Sequence, residues 1–261
     1  MNLPVASGRM LSAATRRGSL LEGTSVEDPE IGKTFSAFYR TGRAGAARLS
    51  DGGGPFGFDI AVALMTDQLI RGGECDAVLE TGCFLGDTTD YLARRYPGLP
   101  VWSCDIDAGS AGFTASRVAG YANASVTCED SPQMLRRAFG EFSRPLAFLD
   151  AHWGPDWPLA TELDIVVASE GIAVVHDFDI GHERFSFDAY GDLACGPGIL
   201  ERMAEPPARY WVLDPAAPLP VPCLQVGRRA GVAVVAGARH WPAAGTCPYL
   251  APRRLAAAVA R

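Results

Sequence analysis

The sequence is short of several things, and each shortage excludes something. Lys33 is its one lysine, and the remaining strongly basic side chains are arginines. Beside so many alanines and glycines this reads as a GC-rich coding bias without functional content. Positive charge is in the minority, with a formal net charge of −7, whereas a nucleic-acid partner wants a basic face. No apolar run approaches the ~20 residues that span a bilayer. The opening MNLPVASGRMLSAATRRGSLLEG holds no continuous apolar core of a secretory signal. A soluble, cytoplasmic protein is therefore expected, with neither membrane nor nucleic acid as partner. Seven cysteines, at 75, 83, 104, 128, 195, 223 and 247, form no C-x-x-C pair. They lack the clustering of a structural zinc site, and buried free thiols are the reading. No internal repeat is visible.

What is present is a pattern. With 261 residues, 48% hydrophobic and 20% charged, the chain suits one larger globular domain or a domain with a small appendage. Residues 1–57 read as an N-terminal extension or lid, rich in Ser, Gly, Arg and Ala. They hold one short helix in GKTFSAFYRTGRAGAARLS and a hinge in DGGGPFG. The main domain, 58–261, opens with DIAVALMTDQLIRGGE, a helix of about 13 residues with Asp59 near its start and Gly-Gly at its end.

From residue 76 strands and helices alternate. The strands read DAVLET (76–81), PVWSCDID (100–107), ASVTCED (124–130), PLAFLDAH (145–152) and GIAVVHDF (171–178). Between them lie the helical stretches DTTDYLARRY, SAGFTASRVAGY, SPQMLRRAF and LATELDIVVAS. Such a succession predicts an α/β fold with a parallel sheet covered on both faces. The continuous runs AVL, PLAFL and GIAVV suit strands buried on both sides. After residue 180, ILERMAEP reads as a short helix. YWVLD, PCLQVG and GVAVVAG read as late strands, the last two joined by a GRRAG hairpin, so an antiparallel pair is expected to end the sheet.

The stretch AVLETGCFLGDTT, residues 77–89, is strand, glycine-bearing turn and helix. Ligands of open parallel sheets bind beyond the C-terminal strand ends, where Glu80 and Thr81 fall. Gly82 and Gly86 let the backbone turn and approach a ligand, and Thr88 and Thr89 start the helix, where free N–H groups accumulate. The second strand ends in Asp105 and Asp107, placed for a ribose diol. Asp130 and Ser131 follow the third, placed to cap the next helix or touch an adenine. The loop spells neither G-x-G-x-x-G nor G-x-x-x-x-G-K-[ST]. It spells E-x-G-x-x-x-G. Glu80 repels a pyrophosphate and favours a cationic ligand, such as the amino and sulfonium groups of S-adenosylmethionine.

ETGCFLGDTT, SCDID and CEDSPQML together resemble the first three motifs of class I S-adenosylmethionine-dependent methyltransferases. That family's first motif is [DE]-x-G-x-G-x-G, and Phe84 stands where its middle glycine would be. The resemblance implies a Rossmann-like, doubly wound sheet of seven mostly parallel strands with an antiparallel last hairpin, after an N-terminal helical extension. It implies that the cofactor lies among Glu80, Thr81, Gly82, Phe84, Gly86, Thr88, Thr89, Asp105, Asp107, Asp130, Ser131 and Asp150.

LDAHW, PLATEL and VVHDF further resemble the macrocin-type, metal-dependent O-methyltransferases of natural-product sugars, and bacterial methyltransferases with ETG, DAHW and DDF motifs. In that strand order the fourth and fifth strands are neighbours, about 4.8 Å apart, so Asp150 and Asp177 face one another. Carboxylates that close repel unless a cation or proton lies between them, and Mg²⁺ is the simplest such ion. The resemblance puts metal ligands at Asp150, His176 and Asp177 and a general base at His152. Histidine stands at 152 and 176 where the family has acids, and it is a competent base near neutral pH. Asp179 and His182 read as loop residues. Trp153 and Trp157 read equally as acceptor-pocket or packing residues. The implied function is methylation of a small-molecule hydroxyl, on a sugar or natural product, by a cytoplasmic enzyme, with a homo-oligomer left open. The alternatives left open are N- or C-methylation, a protein that binds S-adenosylmethionine without transfer, and a dehydrogenase.

Overall fold

The computed structural model describes residues 28–151, 157–227 and 229–255. Eight strands form the central sheet: β1 Ala77–Thr81, β2 Val101–Asp105, β3 Ala124–Cys128, β4 Pro145–Leu149, β5 Ile172–Val175, β6 Arg209–Leu213, β7 Ala233–Ala236 and β8 Leu250–Arg254. Their order is β8-β6-β7-β5-β4-β1-β2-β3. The first five run parallel. β7 enters antiparallel between β5 and β6, and β8 pairs antiparallel with the outer side of β6. The Rossmann-like α/β fold with an antiparallel end is thus as expected, with β8 as an added edge strand. Every residue of β1, β4 and β5 is buried, which is why these strands read as unbroken apolar runs.

The pairing at the antiparallel end differs from the sequence reading. Residues 222–227 form no strand, and β7 takes β6 as its partner instead. Pro222 removes a ladder donor from the segment, and Pro220 removes another just before it. It lies instead against the N-terminal region: Tyr39 Oη donates to the Pro222 carbonyl at 2.8 Å, and Gln225 Nε2 to the Gly57 carbonyl at 3.1 Å. The GRRAG segment supplies Arg229–Ala230, which pairs in parallel with Phe185–Ser186.

Six longer helices flank the sheet: α1 Pro29–Arg40, α2 Ile60–Gly72, α3 Asp87–Arg95, α4 Ala108–Val118, α5 Ser131–Glu141 and α6 Leu159–Ala168. Two short ones, α7 Pro197–Leu200 and α8 Trp241–Thr246, follow. Aspartates start three of the long helices by accepting backbone N–H bonds: Asp28 from Glu30, Asp59 from Ala61 and Asp107 from Ser110, each satisfying one of the donors a helix leaves free. Among the described residues no helix is long and apolar enough to cross a membrane. All seven cysteines are free thiols, and Cys128 alone is exposed.

The region before residue 58 packs into the same core. Phe38 of α1 is 0% exposed and stacks on Phe58 with ring centroids 5.6 Å apart. Phe56 meets Phe148 of β4 at 4.9 Å and Tyr91 of α3 at 5.3 Å. A partly buried ionic network ties the three helices together: Arg95 of α3 donates to Glu30 of α1 at 2.7 Å and to Asp67 of α2 at 2.6 Å. Replacing Phe38 by alanine should lower stability by about 3–5 kcal/mol. Urea unfolding followed by far-UV circular dichroism and by tryptophan fluorescence should then still give one shared transition. Separate transitions would show that α1 unfolds apart from the sheet.

Candidate functional site

After β1 the chain passes through three alternate residues in the left-handed region: Gly82, Phe84 and Gly86, at φ 76°, 45° and 72°. Both glycines are also enforced by packing. A Cβ on Gly82 would lie 2.5 Å from the carbonyl oxygen of Asp150, and one on Gly86 2.7 Å from Cγ2 of Thr114. Phe84 holds the conformation of a glycine at a cost of about 1–2 kcal/mol. Two bonds hold it there: its N–H donates to Asp105 Oδ2 at 2.9 Å, and Thr114 Oγ1 donates to its carbonyl at 2.8 Å. Phe84 is 66% exposed, and Ile106, just past β2, is 79% exposed. The strand ends thus carry apolar side chains in the open beside an acid.

The residues predicted around this loop divide by their bonds. Glu80 is buried and accepts from Thr89 Oγ1 and, at 2.5 Å, from Ser103 Oγ. Burial pushes its carboxyl up to about 7, against the pull of those two hydroxyls. Thr89 therefore supports Glu80 from inside. Thr81 is buried and receives the Asp150 N–H at its carbonyl, 3.1 Å. Thr88 Oγ1 accepts from Phe56 N at 3.1 Å. Asp105 spends its second oxygen on Asp107 N at 2.9 Å, and Asp107 caps α4. Asp130 is exposed and its carboxylate makes no cap for α5, while Ser131 is buried. Sequence reading missed Glu162 of α6, which is fully buried and pushed to about 7 by that burial, with Ser131 and Thr81 as neighbours. Only its place one turn into a helix after PLAFLDAH hinted at it.

A second cluster stands where β4 and β5 end. The register pairs Leu149 with Val175, so Asp150 and His176 leave the sheet side by side. Successive residues of a strand point to opposite faces, but Asp177 is left-handed at φ 49°. That turn brings two consecutive side chains to one place. His176 Nδ1 lies 3.2 Å from Asp150 Oδ1 and 3.1 Å from Asp177 Oδ2, and one ligand atom from each of the three residues falls within 4.8 Å of the others. Burial opposes charge on the imidazole, but Asp177 and Asp150 outweigh it and hold its pKa well above the usual histidine range. Asp179 and His182 serve their own loop, accepting from Gly181 N at 2.8 Å and Arg184 N at 3.2 Å. His152 and Trp153 lie outside the described residues.

The N-terminal segment borders both clusters, through residues that the sequence reading did not single out. Asp87 accepts from Ala44 N at 2.9 Å and Gly54 N at 2.7 Å, and pairs with Arg117. Arg117 also donates to the carbonyls of Leu85 at 2.7 Å and Gly42 at 2.6 Å. Phe56, Gly57 and Phe58 are all left-handed, at φ 52°, 62° and 65°. This turn sets Gly57 on the His176 ring, where a Cβ would stand 3.6 Å from Cε1 and 3.7 Å from Nε2.

No protein-family model matches the chain, and no curated protein does. Among solved structures it is similar to a Klebsiella pneumoniae protein assigned as an O-methyltransferase, at 18% identity over 84% of this chain and 94% of that one, TM-score 0.48. It is similar to cofactor-bound Rv0187 from MTB, at 18% identity over 83% and 94%, TM-score 0.47. It is also similar to the N-methyltransferase NodS of Bradyrhizobium japonicum, at 13% identity over 66% and 92%, TM-score 0.41.

Glu80 gives a pH test of the first cluster. Its folded pKa of about 7 lies above the ordinary 4.5. The unfolded chain therefore ionises first, and the cost to the fold is absent below 4.5, grows between 4.5 and 7, and is constant above. Glu80→Gln removes that cost. Relative to the wild type, its stability should rise across this window by up to about 3 kcal/mol, read from urea midpoints at stepped pH. A difference that is flat with pH would mean that Glu80 ionises normally in the fold.

Proposed function

We propose that the protein is an S-adenosylmethionine-dependent methyltransferase that transfers the methyl group to a hydroxyl of a small molecule, a sugar or natural product by preference. The observation that carries the cofactor is the turn of three alternate left-handed residues beside the buried Glu80. A backbone folded this way offers close approach without a phosphate nest of N–H groups, and the acid favours a cationic ligand end. Asp105, Ile106 and the free carboxylate of Asp130 are suited to a ribose diol, a nucleobase face and an exocyclic amine, in that order along the sheet edge. The bonds of Thr88, Thr89 and Asp107 make them supports of this site.

Transfer is an in-line displacement at the methyl carbon, so catalysis comes from positioning and from removal of the hydroxyl proton. His152 is the proposed base, on resemblance alone. Asp150 lies between the two clusters, its carbonyl against Gly82 and its carboxylate on His176, and it is proposed to orient acceptor and base. Asp150, His176 and Asp177 have the proximity and donor atoms for a divalent ion, and such an ion, when bound, lowers the pKa of an acceptor hydroxyl. Gly57 and residues 180–198 are proposed to border the acceptor. The division into an extension of 1–57 and a domain of 58–261 is kept as a proposal in which the extension closes the site.

Calorimetry with S-adenosylhomocysteine and a radiolabelled methyl assay over glycosylated and phenolic acceptors test this reading. Binding and transfer are expected, with His152→Ala lowering kcat by about 10²-fold or more. Binding without transfer to any acceptor would assign a non-methylating role, and absence of binding would remove the reading. Between pH 4.5 and 7, binding of the cationic cofactor should release a proton from Glu80, seen as a dependence of the heat on buffer ionisation enthalpy.

A further inference from the structure

We infer that the Asp150–His176–Asp177 cluster is a mixed nitrogen–oxygen site for a divalent transition ion of the Mn²⁺ or Zn²⁺ type, and that His176 turns it away from Mg²⁺. The inference rests on the methyltransferase reading for what the ion does, and not for whether it binds.

Geometry comes first. An ion ~2.1 Å from each ligand sets neighbouring ligand atoms ~3 Å apart. The two separations of Nδ1 from carboxylate oxygens, 3.2 and 3.1 Å, are of that size, and no pair in the set exceeds 4.8 Å. The imidazole is therefore between the carboxylates, as a ligand would be. It is held there by the β4–β5 register and by the left-handed turn at Asp177. The ring is buried against Phe148, 5.4 Å away centroid to centroid, and lies next to Gly57.

Donor chemistry decides the ion. Mg²⁺ is hard, keeps waters and takes oxygen ligands, whereas imidazole suits zinc, iron and their neighbours, and carboxylates suit manganese. Charge points the same way. Two carboxylates and an imidazole that has given up its proton to ligate balance a dication, where three carboxylates would leave one negative charge over. The cluster is mostly removed from water, with side-chain exposures of 7% for His176, 29% for Asp150 and 25% for Asp177, and a buried excess charge is costly there.

The test uses the full chain, stripped with a chelator and titrated with Mn²⁺ under electron paramagnetic resonance. One Mn²⁺ should bind, pulsed spectra should show modulation from a directly coordinated nitrogen, and Mg²⁺ should need about tenfold excess or more to displace half of it. His176→Asp should lose the nitrogen modulation and bring the Mg²⁺ competition towards parity. Asp150→Asn, with unchanged circular dichroism, should lose the ion. Failure of Mn²⁺ to bind, absence of nitrogen modulation in the wild type, or displacement by equimolar Mg²⁺ would each overturn the inference. S-adenosylhomocysteine calorimetry on the same samples separates the two readings: Mn²⁺ bound through nitrogen upholds the site even where that cofactor does not bind.

Discussion

Carboxylates at the edge of an apolar sheet cannot stand there uncompensated, and most of the site follows from how each is met. Glu80 lies in β1, and Asp150 and Asp177 follow β4 and β5, strands in which every residue is buried. Charge removed from water costs several kcal/mol unless a donor, a cation or a proton answers it. The edge uses a different answer at each position. Glu80 has two hydroxyls and a pKa raised to about 7 by burial. Asp150 and Asp177 share one imidazole nitrogen. Asp105 takes one backbone N–H on each carboxylate oxygen, and these bonds fix the turn after β1.

Conformational strain follows the same line. Among the described residues six non-glycine positions are left-handed; Phe56, Phe58, Phe84 and Asp177 lie in or next to the two clusters and the N-terminal turn, while Glu74 and Glu170 lie in the turns before β1 and β5. Strained backbone persists only where surrounding contacts over-determine it. Here the contacts are identifiable: aromatic anchors for Phe56 and Phe58, the Asp105 and Thr114 bonds for Phe84, the pairing of Asp188 N with the Asp177 carbonyl for Asp177. The outcome is that the loop after β1, the acid–imidazole cluster and the N-terminal turn touch one another. Asp87, Thr88 and Arg117 fasten residues 42–56 to the loop, and Gly57 carries the contact on to His176. Displacing any one of the three disturbs the other two.

Much of this was legible in one dimension. Buried parallel strands need continuous apolar runs, and crossover helices need a 3.6-residue period, so AVL, PLAFL, GIAVV and the stretches between them declared the α/β sheet and the end of it where polar residues collect. Glycines at 82 and 86 marked a turn because nothing else takes φ near +75° cheaply. The late segment was less legible. PCLQVG alternates like a strand, yet Pro220, Pro222 and the pull of Tyr39 and Gly57 keep it out of the sheet, and β8, with Pro and two arginines in LAPRR, has no strand-like pattern at all.

By itself, then, the sequence determined the fold class, the edge at which chemistry is possible and the residue types gathered there, because periodicity and glycine placement are local properties. Tertiary structure decided what those residues do. Whether Thr89 faces a ligand or Glu80, whether Phe84 can stand in for glycine, and whether His176 and Asp177 point together or apart depend on strand register and on one left-handed residue. Register and backbone handedness at a single position are set by contacts between segments far apart in the chain, and no local pattern of letters encodes them.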